Sequence, residues 1–459
     1  MSEPVLVREA ETAVFPRELD RAYPLIERGE GVWLYDREGT AYLDAVGGGA
    51  MVASLGHGDR ELADVGRAQS ERVSFLYNQQ FTSPPQEELA RRLVALAGGD
   101  VARVHFTSGG AEANETAVRL VRSYHVERGD ERRWLIVSPA QAYHGPTAVT
   151  LALTGRPGLT RPYEPYVVPQ PHIPPSTWRL DPTGAEALAA LDAILEERGD
   201  EVAAFCCEPV SAAALPAYAP PEAFWRGLDE RRARYGFLVV FDEVVTGLGR
   251  TGAWFAAHRV PIDPDVITTA KGLGAGYAPI GAVLCREHVY DAVAAGSRVF
   301  DLGHTWDGAP LSCAVGLAVV DRLARDRLVE RVRELGPVLR DSLEQALSGC
   351  ELVREVRGHG FLLGVEYVDP RDGESFLPPG LRVARRIDLE ALRRGLLVYS
   401  TQPTADGYAG DQTLLAPAFV STQQELDLIV ERLADTVRHV EREVRRELAA
   451  VPSSVGGDR

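Results

Sequence analysis

Between about Leu62 and Leu335, short apolar runs alternate with helical stretches, and this alternation limits the possible folds more than any other feature of the chain. Arg103–Phe106, Trp134–Ser138, Val202–Cys207, Phe237–Asp242 and Pro279–Cys285 are strand-length runs bounded by turn residues. Ala111–Arg128 reads as a helix with Ala117, Leu120, Val121 and Tyr124 on one face. Strands alternating with helices predict an α/β domain, a mostly parallel sheet flanked by helices.

The flanking regions differ in character. Near the start, Gly31–Tyr35 reads as a strand followed by the turn Asp36–Gly39. Beyond Gly336 a charged helix leads to apolar runs near Gly360–Tyr367 and Leu396–Tyr399. A long helix then covers about Thr422–Leu448, and Val451–Ser454 reads as a frayed tail. This mixture predicts a smaller α+β part. A chain of 459 residues is too long for one simple core, which fits two or three lobes.

Charge and cysteines narrow the function classes. A net charge of −17, spread along the chain, argues against nucleic-acid or anionic-membrane partners. The five cysteines follow no metal-ligand spacing and their odd number suggests no disulfide framework, so no metal is expected and reduced thiols are. Met1–Pro4 carries no apolar signal-peptide core and no apolar run is long enough to span a bilayer. A cytoplasmic enzyme is the expectation.

The chemistry centres on Lys271, which follows the apolar pair Val266-Ile267 and sits among small and apolar residues. Desolvation there favours the neutral amine, the nucleophilic form. Asp242 closes the run Phe237–Phe241, where a carboxylate could hold a protonated ring nitrogen. A lysine and an aspartate so placed suggest pyridoxal phosphate. Other segments each read two ways. Thr107–Glu115 joins a strand to a helix, either as a phosphate cup of backbone N–H groups at Gly109, Gly110 and Ala111 or as an ordinary junction. Tyr143 in Tyr143-His144-Gly145 is a stacking aromatic or a turn residue. Glu208 at a strand end is a site residue or an ion-pair partner. Gly303–Gly308 is a phosphate-binding turn through Thr305 or a cap for the helix starting near Pro310. Gly247–Gly252 matches G-x-G-x-x-G but lies five residues beyond the strand end, which argues against a dinucleotide site.

Taken together and in order, these segments resemble the class III (omega-type) aminotransferases of the fold-type I pyridoxal-phosphate enzymes. The resemblance runs from Tyr42–Ala45 to Leu414–Pro417, and its most specific part is Phe241–Gly252 followed by Thr269–Gly272. It implies an aspartate aminotransferase-like fold. A large cofactor-binding domain with a mostly parallel seven-stranded sheet would span 62–335, and a smaller α+β domain would be built from 1–61 and 336–459. It also implies that Lys271 holds pyridoxal 5′-phosphate as an internal aldimine and acts as general base. Asp242 would pair with the pyridine nitrogen, Val244 and Tyr143 would cover the two ring faces, and Gly109, Gly110 and Ala111 would hold the phosphate. His144 and Glu208 belong to the same cofactor surroundings. Thr305 matches a threonine that reaches the neighbouring subunit's phosphate, which implies a homodimer with shared sites, or a tetramer built from dimers.

The resemblance leaves the substrate open. Many relatives hold substrate carboxylates with arginines, one of them after Tyr-His-Gly, where this chain has Pro146. Between Arg394 and Arg432 there is no arginine or lysine. An amine or polar amino donor is therefore expected, with a keto acid of the pyruvate or 2-oxoglutarate type as acceptor, in a ping-pong exchange. A racemase, aminomutase, decarboxylating transaminase or phospholyase would share Lys271 and Asp242, and a non-catalytic cofactor-binding relative is the remaining alternative.

Overall fold

The computed structural model describes residues 6–8, 12–177, 181–404, 407 and 409–450. Met1–Pro4 and Val451–Ser454 lie outside these, as do Ala405, Asp406 and Tyr408 of the arginine-free stretch.

The seven strands of the large sheet are β1 (Val101–Thr107), β2 (Leu135–Pro139), β3 (His172–Ile173), β4 (Val202–Cys207), β5 (Leu238–Asp242), β6 (Val266–Thr269) and β7 (Gly281–Arg286). Their order is β3-β2-β4-β5-β6-β7-β1. All run parallel except β7, which is antiparallel to both β6 and β1. The sheet is thus the mostly parallel, seven-stranded one that was expected. The central strands read as continuous apolar runs because helices cover both faces. Leu238 and Val240 of β5 pack with Ala113, Ala117, Leu120 and Val121 of helix α1 (Gly110–Glu127). Val239 and Phe241, pointing the other way, pack with Phe205, Phe224 and Trp225.

Outside the large sheet, the described residues form two four-stranded sheets and a two-stranded antiparallel pair, Leu6–Val7 with Tyr23–Pro24. In one, Ile26–Glu30, Trp33–Asp36 and Ala41–Asp44 pair antiparallel, and Leu396–Leu397 from the far end of the sequence joins Ala41–Asp44 in parallel. The other joins Val353–His359, Leu362–Tyr367, Gln412–Leu415 and Tyr399–Thr401, all antiparallel. The helix Leu328–Leu347 runs unbroken across 335–336, where the sequence suggested a change of character. No helix among the described residues is long and apolar enough to cross a membrane.

The G-x-G-x-x-G segment is a packing turn, not the opening of a helix. A Cβ on Gly249 would meet Val329 Cγ2 at 2.9 Å, and one on Gly252 would meet Arg333 Cα at 2.8 Å, so these glycines let the helix Leu328–Leu347 approach closely.

Candidate active site

The chemistry-bearing residues come from separate strands and meet at one edge. Ser108–Ala111 follow β1, Tyr143 and His144 follow β2, Glu208 follows β4, Asp242 ends β5, and Lys271 follows β6. In open α/β sheets the carboxyl ends of the parallel strands form such a crevice. Here it is a cavity of about 290 Å³ whose walls include Ser108, Gly109, Gly110, Ala111, Tyr143, His144, Glu208, Asp242, Val244 and Lys271. Nine of the ten residues singled out from the sequence line it. The tenth, Thr305, does not.

Asp242 is 4% exposed and fully engaged. Its Oδ2 accepts from Asn114 Nδ2 at 2.7 Å and lies 2.8 Å from His144 Nδ1, while Oδ1 accepts from the Val244 N–H at 3.0 Å. Asn114 is itself fixed: its Nδ2 also donates to the His144 carbonyl at 2.8 Å, and its Oδ1 accepts from Thr268 Oγ1 at 2.6 Å. Burial pulls the His144 imidazole toward neutrality, but the Asp242 carboxylate outweighs burial and holds its pKa above the ordinary value. The adjacent Glu243 has a structural task. It accepts from the Ala256 and Ala257 N–H groups at 2.5 and 2.8 Å and from Thr246 Oγ1 at 3.0 Å. Of the Asp-Glu pair, only Asp242 lines the cavity.

Lys271 has φ 39°, in the left-handed region that residues with a Cβ rarely adopt. Strain of this kind persists where the surroundings over-determine the backbone, commonly at functional sites. Desolvation pulls its amine below the ordinary lysine value, with Arg250 adding to the effect. The charges of Asp242 and Glu208 act in the opposite sense. Burial pushes the Glu208 carboxyl up to about 7. Glu208 Oε1 accepts from the Ala212 N–H at 3.2 Å and Oε2 from Ser211 Oγ at 3.4 Å, and no arginine pairs with it among the described residues.

The cavity fits a flat, phosphorylated pyridine ring. At one end is the N-terminus of α1, whose first N–H groups have no intrahelical acceptor and suit an anion. Only glycine fits there: a Cβ on Gly110 would sit 2.8 Å from Val244 Cγ1, and one on Gly145 would sit 2.9 Å from the Ala111 Cβ. The carboxylate and the amine stand on two neighbouring strands, and Val244 and Tyr143 supply apolar and aromatic surface. The wall also includes Val52, Ala213, Val245, Ala278, Pro279 and Ile280, and among its described residues there is no arginine. Thr305 is exposed in the turn before the helix Pro310–Arg325, where Asp307 Oδ2 accepts from the His304 N–H at 2.7 Å.

Fold and site together define an enzyme of the fold-type I architecture, built around a lysine amine. The family model for class III aminotransferases matches residues 14–437. The uncharacterized aminotransferase YodT of Bacillus subtilis is 34% identical over 441 residues, covering 94% of this chain and 98% of its own. The solved structure of a thermostable (S)-enantioselective omega-transaminase from Thermomicrobium roseum is similar at 34% identity with a TM-score of 0.87, covering 94% of this chain and 97% of that one. The omega-transaminase of Pseudomonas jessenii in complex with PMP, at 28% identity and a TM-score of 0.88, covers 95% and 98%. The chain belongs to the class III aminotransferases, whose members are pyridoxal-phosphate-dependent, and it is an aminotransferase.

Proposed function

We propose that this aminotransferase carries pyridoxal 5′-phosphate on Lys271 and moves an amino group from an amine or polar amino donor to a keto acid, in two half-reactions that share the site. The observation that carries the donor reading is the cavity wall itself, which is apolar and small around Val52, Ala213, Val245 and Ile280 and contains no arginine among the described residues. A donor carboxylate buried against such a wall would go unpaired, at a cost of several kcal/mol.

When bound, the cofactor supplies an aldehyde carbon that condenses with amines and a ring that accepts an electron pair. The chain's residues do the rest. The Gly109–Ala111 N–H groups would hold the phosphate, Val244 and Tyr143 would cover the ring, and Asp242 would favour the protonated ring nitrogen. Asn114 and His144 fix the Asp242 carboxylate, and Lys271 Nζ carries the proton away from the donor carbon that bears nitrogen. Burial disfavours the charged form of this amine and so favours the form that can accept a proton. In a donor screen with pyruvate as acceptor, 1-phenylethylamine and short alkylamines should exceed β-alanine and 4-aminobutyrate in kcat/KM by at least about a hundredfold, since several kcal/mol of unpaired buried charge is worth two or more factors of ten. The opposite ranking would overturn the donor reading.

We also propose that the working unit is a homodimer. Phe75, Tyr77, Phe81, Val299 and Trp306 are all exposed large apolar residues, and Phe75 meets Trp306 edge-on at 5.4 Å. An exposed aromatic pair such as Phe75 and Trp306 suits an interaction face. It lies beside Thr305, the residue that the family pattern sends to a neighbouring phosphate. Trp306→Glu should shift the protein toward monomer in sedimentation velocity and lower activity in parallel. A wild-type protein that is monomeric at micromolar concentration would overturn this proposal.

A further inference from the structure

Beside the cofactor cavity stands a cluster of donor groups that amino transfer does not use. Glu112 lies in the first turn of α1, and His304 and Asp307 lie in the turn before the helix Pro310–Arg325. Each offers one ligand atom, and these atoms lie within 4.8 Å of one another. Among the described residues this is the one group of three His, Cys, Asp or Glu side chains that meets so closely. None of the cysteines, on whose spacing the expectation of no metal rested, takes part.

The turn fixes Asp307 by one oxygen only. The Asp307 N–H donates to the His304 carbonyl at 3.1 Å, and the His304 N–H donates to Asp307 Oδ2 at 2.7 Å. His105 on β1 holds the same oxygen, with its Nε2 3.1 Å away. Asp307 is 2% exposed. Its second oxygen, Oδ1, and His304 Nδ1 are both buried without a hydrogen-bond partner, and they face each other at 3.5 Å. The pairs His57–Asp44 and His144–Asp242 close to 2.9 and 2.8 Å, as hydrogen bonds do. A gap of 3.5 Å is long for that bond. It is close to the roughly 3.3 Å between two ligands of a tetrahedral zinc ion whose bonds are about 2.0 Å long.

Glu112 supplies the third donor. Its hydrogen bonds use Oε2, which accepts from the Ser108 N–H at 2.9 Å and from Ser108 Oγ at 2.5 Å, so Oε1 is left open. No lysine or arginine pairs with Glu112 or Asp307 among the described residues. Two carboxylates, one of them buried, thus meet with no permanent positive charge between them, which is costly. A divalent cation offsets that cost and satisfies both orphaned atoms at once. Imidazole combined with carboxylates suits ions of the zinc type.

We propose that Glu112, His304 and Asp307 form a binding site for a divalent transition-metal ion of the zinc type. The fourth position falls to a water, which the partly exposed His304 side chain leaves room for. His105 is the outer partner that orients Asp307. Closing the three donors onto one ion asks for movements of about an ångström. The ion ties the turn carrying Thr305 to the first turn of α1. Ser108, which Glu112 holds, lines the cofactor cavity, whereas none of the three ligands does, so the site is structural.

Zinc binding to the holoenzyme, after dialysis against a chelator, is the test. Equilibrium dialysis with Zn²⁺ should show one tight equivalent per chain and a raised thermal midpoint. His304→Ala and Asp307→Asn should each weaken binding by at least about a hundredfold, and His105→Ala by about tenfold, the effect of losing an outer partner. His439→Ala, which removes an exposed His–Glu pair with Glu443, should leave it unchanged. Co²⁺ in place of zinc gives a readout that needs no variant: a four-coordinate site shows intense d–d absorption to the red of the cofactor band. A wild type that takes up no zinc at micromolar free metal would overturn the site. So would six-coordinate Co²⁺, binding unchanged in both His304→Ala and Asp307→Asn, or binding lost in His439→Ala.

Discussion

Lys271→Ala is expected to lose transamination by at least about 10⁴-fold, because one amine serves as both covalent tether and proton carrier, and the second task alone is worth 10²–10⁴. The fold should survive. Among the described residues Lys271 makes no hydrogen bond to another side chain, and the sheet around it is packed by Val266, Ile267 and Leu273. Truncating the side chain also removes a cation that burial makes costly. Circular dichroism and the thermal midpoint should therefore stay near wild type while the yellow absorption of the protein incubated with pyridoxal phosphate disappears. Small primary amines added to the variant should restore part of the rate, more for more basic amines, because they occupy the space that Lys271 vacates and take up the proton in its place. Retention of the chromophore and of more than a few per cent of the rate would remove Lys271 from the mechanism. Loss of the folded state would instead assign it a packing role.

The same segment shows how far the sequence could be read. Val202–Cys207 is the strand β4 with the bounds read from the sequence, and Phe237–Asp242 differs from β5 by one residue. These strands are buried on both faces, so their composition announces them. The two-residue strand His172–Ile173 carries too few residues for any pattern, and it exists only because β2 offers a free edge. The direction of β7 was equally illegible: an apolar run looks the same from both ends, and only the pairing with Thr268 and Thr269 on one side and Phe106 and Thr107 on the other reveals that it runs backward.

At the site, the residues that line the cavity were legible where their type is unusual for their place, as with a lysine or an aspartate at a strand end. Asn114 and Thr268 were not. Asn114 lies on the buried stripe of α1 between Ala113 and Ala117, and a polar side chain on an apolar helix face was the signal that could have revealed it. It is 2% exposed and tolerable only because Asp242, Thr268 and the His144 carbonyl satisfy it.

Asp242→Asn should lower kcat by about 10²–10³ in both half-reactions, the range for removing a preorganised electrostatic partner from a site where charge develops. The side chain keeps its size, so the effect separates electrostatics from packing, though not cleanly. Oδ2 faces two donors, Asn114 Nδ2 and His144 Nδ1, and Oδ1 faces a third, the Val244 N–H. A carboxamide has one acceptor oxygen and one donor nitrogen, so whichever way it turns, an NH₂ group meets an N–H. The unmatched contact should cost roughly 1–3 kcal/mol of stability. His144 loses the carboxylate that holds its pKa up, and since burial works in the other direction it should become neutral across the working pH range. Two measurements divide the electronic loss from the structural one. The first is reconstitution with a cofactor analogue that carries a permanent positive charge on the ring nitrogen. If the carboxylate's task is to keep that nitrogen charged, the analogue should restore most of kcat to Asp242→Asn without raising its thermal midpoint. The second is Asn114→Ala, which removes one of the donors that fix the carboxylate but leaves the charge. It should lose about tenfold in kcat and respond little to the analogue. If the analogue leaves Asp242→Asn inactive while Asn114→Ala is equally impaired, Asp242 matters as the keystone of a hydrogen-bond network and not as the partner of a ring nitrogen.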